Sequence, residues 1–117
     1  MGQAKLTLGY QLPATYIIHT VGPIWRGGAK GEPQLLRSCY ENCLALALQH
    51  GIKTLAFPAI SCGIFGYPIS QAAMIAINET ANFLELHREI HSVIFVCLEE
   101  TVYDAYQQAL SAVLSYE

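Results

Sequence analysis

The stretch FPAISCGIFGYPIS, residues 57–70, lies between an apolar run and a segment whose apolar residues recur at helical spacing. Gly63 and Gly66 allow the chain to turn sharply and let the backbone come close to a ligand. In open α/β sheets, ligands bind in the crevice beyond the carboxyl ends of the strands, which is where this loop would lie. The composition predicts either a phosphate-binding turn built from backbone N–H groups or an ordinary glycine turn.

The side chains of this loop narrow the kind of ligand. No Lys follows the glycines, so the stretch is not a Walker loop and does not ask for Mg²⁺. Phe65 and Tyr67 are suited to cover a sugar or a base. The sequence therefore predicts no cofactor and no metal at this loop.

Three near-continuous apolar runs predict strands that are covered on both faces, as in parallel sheets. The runs are TYIIHTV (15–21), KTLAFPA (53–59) and SVIFVCL (92–98), and the alternating stretch AKLTLGY (4–10) predicts a short edge strand.

Helical spacing of apolar residues predicts helices between and after these strands. Pro33 suits a first helical turn, and Gly51 suits a C-terminal cap. Ser70 is the predicted N-cap of the next helix, and Thr101 with Asp104 resembles a capping box. The order β-β-α-β-α-β-α predicts an α/β domain with a largely parallel sheet.

The composition limits the classes of protein. The chain has 117 residues, of which 53% are hydrophobic and 13% charged, so one small folded domain is expected rather than disorder. The formal net charge of -3 and the lack of a basic cluster argue against nucleic-acid binding. No apolar run approaches the roughly 18 residues of a membrane span.

The four cysteines, at positions 39, 43, 62 and 97, form no C-x-x-C pair. With no signal peptide in sight, we expect reduced thiols and a cytoplasmic protein. Cys39 and Cys43 share a helix face, and no further ligands at metal-site spacing accompany them. Both are predicted to be small core residues.

The same loop, FPAISCGIFGYP, closely resembles the second phosphate-binding loop of macro domains, the ADP-ribose-binding family. LPATYIIHTVGPIW (12–25), GQAKLTLGY (2–10) and VIFVCLEETVYDAY (93–106) resemble further elements of the family, in its order. The resemblance implies a three-layer α/β/α sandwich with a mostly parallel, mixed sheet.

The resemblance also implies the ligand-binding residues. The diphosphate and distal ribose would lie along the loop, contacted mainly by backbone N–H groups, and Phe65 would lean on that ribose. Cys62 stands where relatives often carry Thr, and Leu98 where many carry an aromatic that stacks on adenine. The predicted ligand-binding set is Ser61, Cys62, Gly63, Ile64, Phe65, Gly66 and Leu98.

The family normally begins with two more strands and a helix before the part matched by Gly2, so 1–117 is interpreted as a single, N-terminally truncated macro domain. The unmatched part carries an acidic adenine-binding residue, an Asn-containing loop and the catalytic acid of members that hydrolyse ADP-ribosyl or O-acetyl-ADP-ribose esters. The chain has none of these motifs, so we predict no catalytic residue. Cys62 as a nucleophile stays open in principle, and a bystander thiol is favoured. His19 is interpreted as a packed, hydrogen-bonded histidine.

Three functions remain as alternatives: an inactive hydrolase fragment, a module that binds ADP-ribose or a related phosphate-containing ligand, and a structural or assembly role without a ligand. In complete relatives, one missing strand lies between those matching 16–21 and 54–58. Either these two strands close on each other or a second copy fills the gap. We expect a homodimer.

Overall fold

The seven predicted elements form in the predicted order. The structure is a computed structural model that describes residues 2–9, 16–63 and 65–114. The strands are β1 (Ala4–Leu8), β2 (Tyr16–Thr20), β3 (Thr54–Pro58) and β4 (Ser92–Val96), and the helices are α1 (Glu32–Gln49), α2 (Ile69–Leu86) and α3 (Glu100–Leu114). None of the described helices is long and apolar enough to cross a membrane.

The four described strands form two separate pairs. β1 and β2 are antiparallel, with Ala4 opposite Thr20 and Leu8 opposite Tyr16. β3 and β4 are parallel, with Phe57 beside Phe95. No hydrogen-bonded pairing joins β2 to β3 in the described part of the chain. β2 and β3 therefore do not pair directly with each other, and a cavity of about 880 Å³ separates the two strands.

An aromatic cluster connects the β3–β4 pair to the helices. The rings of Phe57 and Phe95 stack with centroids 5.7 Å apart, and Tyr40 of α1 meets Phe57 edge-on at 5.1 Å. Tyr106 of α3 lies 5.3 Å from Phe95. Apolar residues of all three helices join this cluster in one core. The parallel pair is consequently the strand pair that the helices hold most firmly.

The opposite face of β4 is exposed. Along this strand, half-buried Val93 and Phe95 alternate with exposed positions, among them Ile94 at 60% and Val96 at 47% exposure. The expectation that the run is covered on both faces does not hold for the described residues, because the core formed with the helices uses only the face that carries Phe95.

The helix ends agree with the sequence at α1 and differ at the other two helices. Pro33 lies in the first turn of α1, and Gly51 follows its C-cap with φ of 69°. The N-cap of α2 is Pro68, whose carbonyl accepts from the Ala72 N–H at 3.0 Å, so Ser70 lies inside the helix and its prediction as a cap is wrong.

For α3, the carbonyl of Glu99 accepts the first helical hydrogen bond, from the Tyr103 N–H at 2.9 Å. The predicted capping box is therefore wrong, because Thr101 already lies in the first turn, after Glu100.

Candidate functional site

The loop that joins β3 to α2, residues 59–68, is stabilised by its own backbone and by a tyrosine beneath it. Within the loop, the Tyr67 N–H donates to the Ser61 carbonyl at 3.1 Å, and the Gly66 N–H donates to the Gly63 carbonyl at 3.1 Å. The Ile60 N–H donates to the hydroxyl of Tyr40 at 3.3 Å, and that hydroxyl also contacts Tyr106 Oη. These contacts fix the shape of the described part of the loop from within the protein.

Ser61 gives the loop its sharpest turn. Its φ is 67°, the left-handed region that non-glycine residues seldom adopt. The side chain is buried, and its Oγ donates to the Pro23 carbonyl at 2.8 Å. This bond joins the loop to the segment that follows β2, and we attribute the tolerance of the unusual φ to it.

Gly22 makes that join possible. A Cβ added there would overlap Ser61 Oγ and would lie 2.5 Å from Ile60 Cγ2. Any side chain at Gly22 would therefore push the segment after β2 and the loop apart. The available sequence signal is the G-P pair that directly follows the apolar run TYIIHTV (15–21).

A second contact between the two segments lies further along. The Trp25 N–H donates to the Phe65 carbonyl at 2.9 Å, and the Trp25 ring packs on the ring of Tyr67 with centroids 4.8 Å apart. Tyr67 is buried to 2% exposure. The ring of Tyr67 is packed inside the protein, so it cannot cover a sugar or a base as the sequence predicted.

Glu32, which the sequence analysis missed, organises the turn between Trp25 and α1. Glu32 is 2% exposed, and its carboxylate accepts the backbone N–H groups of Arg26 at 2.7 Å, Gly28 at 3.0 Å and Lys30 at 2.7 Å. Burial alone raises the pKa of this carboxyl, but the backbone N–H donors outweigh burial and lower the pKa to about 2. The available signal was an acidic residue directly after the glycine-rich stretch RGGAKG.

The structure brings most of the predicted ligand-binding residues into this loop. Ser61, Cys62, Gly63, Phe65 and Gly66 lie in it, and the N–H groups of positions 61, 63 and 65 have no hydrogen-bond acceptor among the described residues. An added Cβ at Gly63 would meet nothing within 4 Å, so the loop is open to solvent there. Ile64 lies outside the described residues.

Leu98 follows the neighbouring strand β4 and is 94% exposed. The carboxyl end of β4 lies next to the loop, since β4 runs parallel to β3 and pairs Val96 with Pro58, the residue that precedes the loop. Leu98 therefore offers an apolar surface beside the loop and not within it.

The thiols and histidines show no sign of a prepared nucleophile. Burial, and then the neighbouring Cys97, raise the pKa of Cys62 to about 11, so this thiol is protonated at neutral pH. Cys39 and Cys43 are buried core residues, as predicted. His19 is hydrogen-bonded to Thr7 Oγ1 at 2.9 Å, as expected, although it is exposed rather than packed.

No group of three His, Cys, Asp or Glu side chains within the described ranges could hold a metal ion. What the site offers is backbone N–H donors around a glycine turn. Such an arrangement binds anionic oxygens and supplies no proton-transfer group of its own.

Comparison with known proteins identifies relatives along nearly the whole chain. The family model described as "Macro domain" matches residues 1–76. A macro domain-containing protein of Chlorobaculum tepidum, CT2219, is 55% identical over 111 residues, which are 95% of this chain and 64% of that protein. A protein of Enterobacter cloacae named O-acetyl-ADP-ribose deacetylase is 46% identical over 94% of this chain and 61% of its own length.

Solved structures agree with these relatives. The Oceanobacillus iheyensis macrodomain with ADP superposes with a TM-score of 0.93 at 38% identity, covering 99% of this chain and 60% of that one. The Trypanosoma brucei macrodomain in complex with ADP-ribose gives 0.82 at 41% identity, covering 92% of this chain and 44% of that one. The chain thus spans under two thirds of the length of these proteins.

Proposed function

Since this chain belongs to the macro domain family, we propose that it binds ADP-ribose or a related nucleoside diphosphate-ribose through the loop of residues 59–68. The observation that carries the proposal is the shape of this loop at the carboxyl end of β3. Its turn is stabilised by hydrogen bonds within the protein, and the N–H groups of Ser61, Gly63 and Phe65 have no acceptor among the described residues. A diphosphate supplies the acceptors that such a turn lacks.

The proposed roles follow the position of each residue. The N–H groups of Ser61, Gly63 and Phe65, together with that of Ile64, donate to the diphosphate and the distal ribose. Cys62 and Gly66, whose N–H groups already donate within the loop, line the site with their backbone. The Phe65 side chain, which is half-buried, packs against the ribose. Leu98 offers its exposed side chain to adenine, and an aliphatic contact lacks the stacking energy of an aromatic ring. We therefore expect the diphosphate to contribute more to affinity than the base.

The relatives support the class of ligand. One solved relative is in complex with ADP-ribose and another is with ADP, and one curated relative is named O-acetyl-ADP-ribose deacetylase. ADP and ADP-ribose share the adenosine and the diphosphate. We therefore propose a ligand with these two groups for this chain.

We propose binding without hydrolysis for this chain. The loop supplies donors for an anion, while the Cys62 thiol is held protonated by burial and by Cys97. An unassisted water would lack the roughly 10²–10⁴-fold that a general acid or base contributes. The check is release of acetate from O-acetyl-ADP-ribose, where turnover by a preparation free of other hydrolases would contradict the proposal.

We further propose that residues 1–117 act as one unit, in the cytoplasm, as a homodimer. The four unpaired thiols fit a reducing compartment. The outer edge of β4 has no partner strand among the described elements, and Ile94 and Val96 beside it are exposed. Pairing of β4 with its copy across a twofold axis would cover this edge. Sedimentation across a dilution series tests it.

Isothermal titration with ADP-ribose tests the binding proposal. Gly63→Val is the informative variant, because an added Cβ meets nothing within 4 Å in the free protein and φ at this position is not positive. We expect an unchanged Tm and an affinity roughly tenfold or more weaker, since the side chain occupies the space of the ligand. Ala45→Val, on the exposed side of α1, is the matched control.

Equal affinity in Gly63→Val and wild type would show that the loop is not the site. Absence of binding by the wild-type protein at millimolar ADP-ribose would favour the alternative of an assembly role. The separation between β2 and β3 is the observation that keeps this alternative in view.

A further inference from the structure

The carboxylate of Glu32 is a buried charged group to which the proposed binding function gives no role. Glu32 is the first residue of α1, and Leu36 and Tyr40 of the same helix are fully buried, so the carboxylate is attached to a rigid part of the core. It accepts three backbone N–H groups of the turn 26–30. These bonds fix the backbone of the turn, because moving a donor away would leave a buried charge short of a partner.

The turn fixes the position of Trp25, which precedes it. The Arg26 N–H that donates to Glu32 Oε2 at 2.7 Å belongs to the peptide bond that follows Trp25. Gly28 donates to the same oxygen at 3.0 Å and lies against the Trp25 ring, since a Cβ added to Gly28 would be 2.7 Å from Trp25 Cη2. Because the peptide bond is planar, Glu32 thus sets the direction of the backbone at Trp25 as well as the surface on which the ring lies.

Trp25 connects this turn to the ligand loop. Its N–H donates to the Phe65 carbonyl at 2.9 Å, and its ring packs on the Tyr67 ring with centroids 4.8 Å apart. The Tyr67 N–H in turn donates to the Ser61 carbonyl at 3.1 Å. Phe65 and Ser61 are two of the residues whose N–H groups we propose as donors to the diphosphate. A short series of contacts therefore joins both donors to Glu32.

We propose that Glu32 is a positioning residue for the ligand loop. Its carboxylate does not touch the ligand; through the turn and Trp25 it holds the N–H groups of Ser61 and Phe65 where a diphosphate can accept them. Donors that are held in place before the ligand arrives bind it more tightly, because binding then does not have to order them. This inference rests on the proposed binding function and adds to it a residue that lies outside the loop.

The sign of the effect of Glu32→Gln separates positioning from direct electrostatics. Gln has nearly the same shape, has no charge and keeps one acceptor oxygen, so part of the turn loses its acceptor. If Glu32 acted only through its charge, removing that negative charge would strengthen the binding of an anion. If it positions the loop, ADP-ribose should bind about threefold to tenfold more weakly to Glu32→Gln than to wild type. A role in stability alone would lower Tm and leave the affinity unchanged.

Titration with ADP-ribose, combined with amide nuclear magnetic resonance spectra of the ligand-free full chain, tests the proposal. In the spectra, Glu32→Gln should shift the amide signals of Ser61, Gly63 and Phe65 as well as those of the turn. The matched control is Ile90→Val, at a buried position shortly before β4 and therefore at the end of the β3–β4 pair opposite the loop. This control should lower Tm and leave both the loop amides and the affinity unchanged.

Three results overturn the proposal: loop amides that do not shift in Glu32→Gln, equal or tighter binding of ADP-ribose by this variant, and loop shifts of the same size in Ile90→Val. Glu32→Asp is the second variant, to be judged in the same way if Glu32→Gln does not fold. It keeps the charge and shortens the side chain, so it too should weaken binding. If wild type does not bind ADP-ribose, the proposed function is wrong, and the amide spectra, which need no ligand, still decide whether Glu32 positions the loop.

Discussion

The two strand pairs of this domain are built from similar five-residue strands and are held very differently. The β3–β4 pair packs on an aromatic cluster with all three helices, where Phe57 is 6% exposed. The β1–β2 pair packs on α1, and no residue of its two strands is fully buried. The ligand loop continues from the better-packed pair. The difference teaches that the loop begins from the strand pair that is better packed on the helices.

Hydrogen bonds join the segments that follow β2 and β3. Ser61 in the loop bonds the Pro23 carbonyl after β2, and Trp25 bonds the Phe65 carbonyl. These contacts lie beyond the carboxyl ends of β2 and β3. Substitutions in the core, at these contacts and in the loop therefore test three separate properties: the stability of the core, the geometry of the loop and the chemistry of the loop's side chains.

The largest effect is expected in the core of the better-held pair. Phe57→Ala should lower the free energy of unfolding by about 3–5 kcal/mol, because it removes a buried ring from the cluster with Tyr40 and Phe95. Ile18→Ala, on half-buried β2, should cost about 1 kcal/mol. Urea denaturation of both variants measures the difference. Similar losses would mean that the two pairs are equally important to the fold.

A smaller loss is expected where the two pairs meet. Gly22→Ala should cost about 1–3 kcal/mol, since the methyl group overlaps Ser61 Oγ and Ile60. It should also weaken ADP-ribose binding by displacing the loop. The matched control is Gly63→Ala, whose methyl group meets nothing within 4 Å. An unchanged Tm in Gly22→Ala would show that the contact between these segments is looser than the structure has it.

The positions of the elements could be predicted from the sequence much better than their pairing. Each predicted strand overlaps the observed one, because continuous apolar runs bounded by polar or turn residues leave few alternatives. Whether β2 pairs with β3 could not be predicted, because the apolar pattern of a strand does not identify its neighbours in the sheet. The sequence also misplaced the residues that precede α2 and α3, which are Pro68 and Glu99. Ser70 and Thr101 have the cap chemistry, but in both helices an earlier carbonyl accepts the first bond.

In the candidate site, too, the local features could be predicted from the sequence and the distant contacts could not. Its glycine turn was visible in residues 59–68, since the two glycines are local signals: Gly66 adopts a φ of 71°, and Gly63 leaves the turn open. The supports of the turn come from far along the chain, as with the hydroxyls of Tyr40 and Tyr106, and spacing cannot reveal them. Glu32 lay closer to hand, directly after the stretch whose N–H groups it accepts.

Glu32→Gln should have a moderate effect that depends on pH. The carboxyl has a pKa lowered from 4.5 to about 2 in the folded chain, so its contribution to stability is present above pH 4.5 and is lost as pH falls towards 2. The difference in Tm between wild type and Glu32→Gln should therefore be constant near neutral pH and shrink in that window. Gln keeps one acceptor oxygen, which limits the loss.

Glu79→Gln is the control for this pH dependence. Burial, and then Glu41, raise the pKa of Glu79 in spite of Arg37, so this carboxylate costs stability above its pKa and the cost is relieved as pH falls. The two variants should therefore show opposite trends in acid. A Tm difference for Glu32→Gln that does not change between pH 4.5 and 2 would contradict the hydrogen-bonded carboxylate.

The smallest effect is expected at Cys62, where the side chain lies in the ligand loop and the proposed contact is its backbone. Cys62→Ser should change ADP-ribose affinity by about twofold or less, about 0.4 kcal/mol, because the N–H group is retained. The thiol has a pKa raised to about 11, so it is neutral at pH 7 as the serine hydroxyl is, and no charge near the phosphates is lost. Titration of both proteins at pH 7 measures this. A tenfold loss would show that the sulfur itself contacts the ligand.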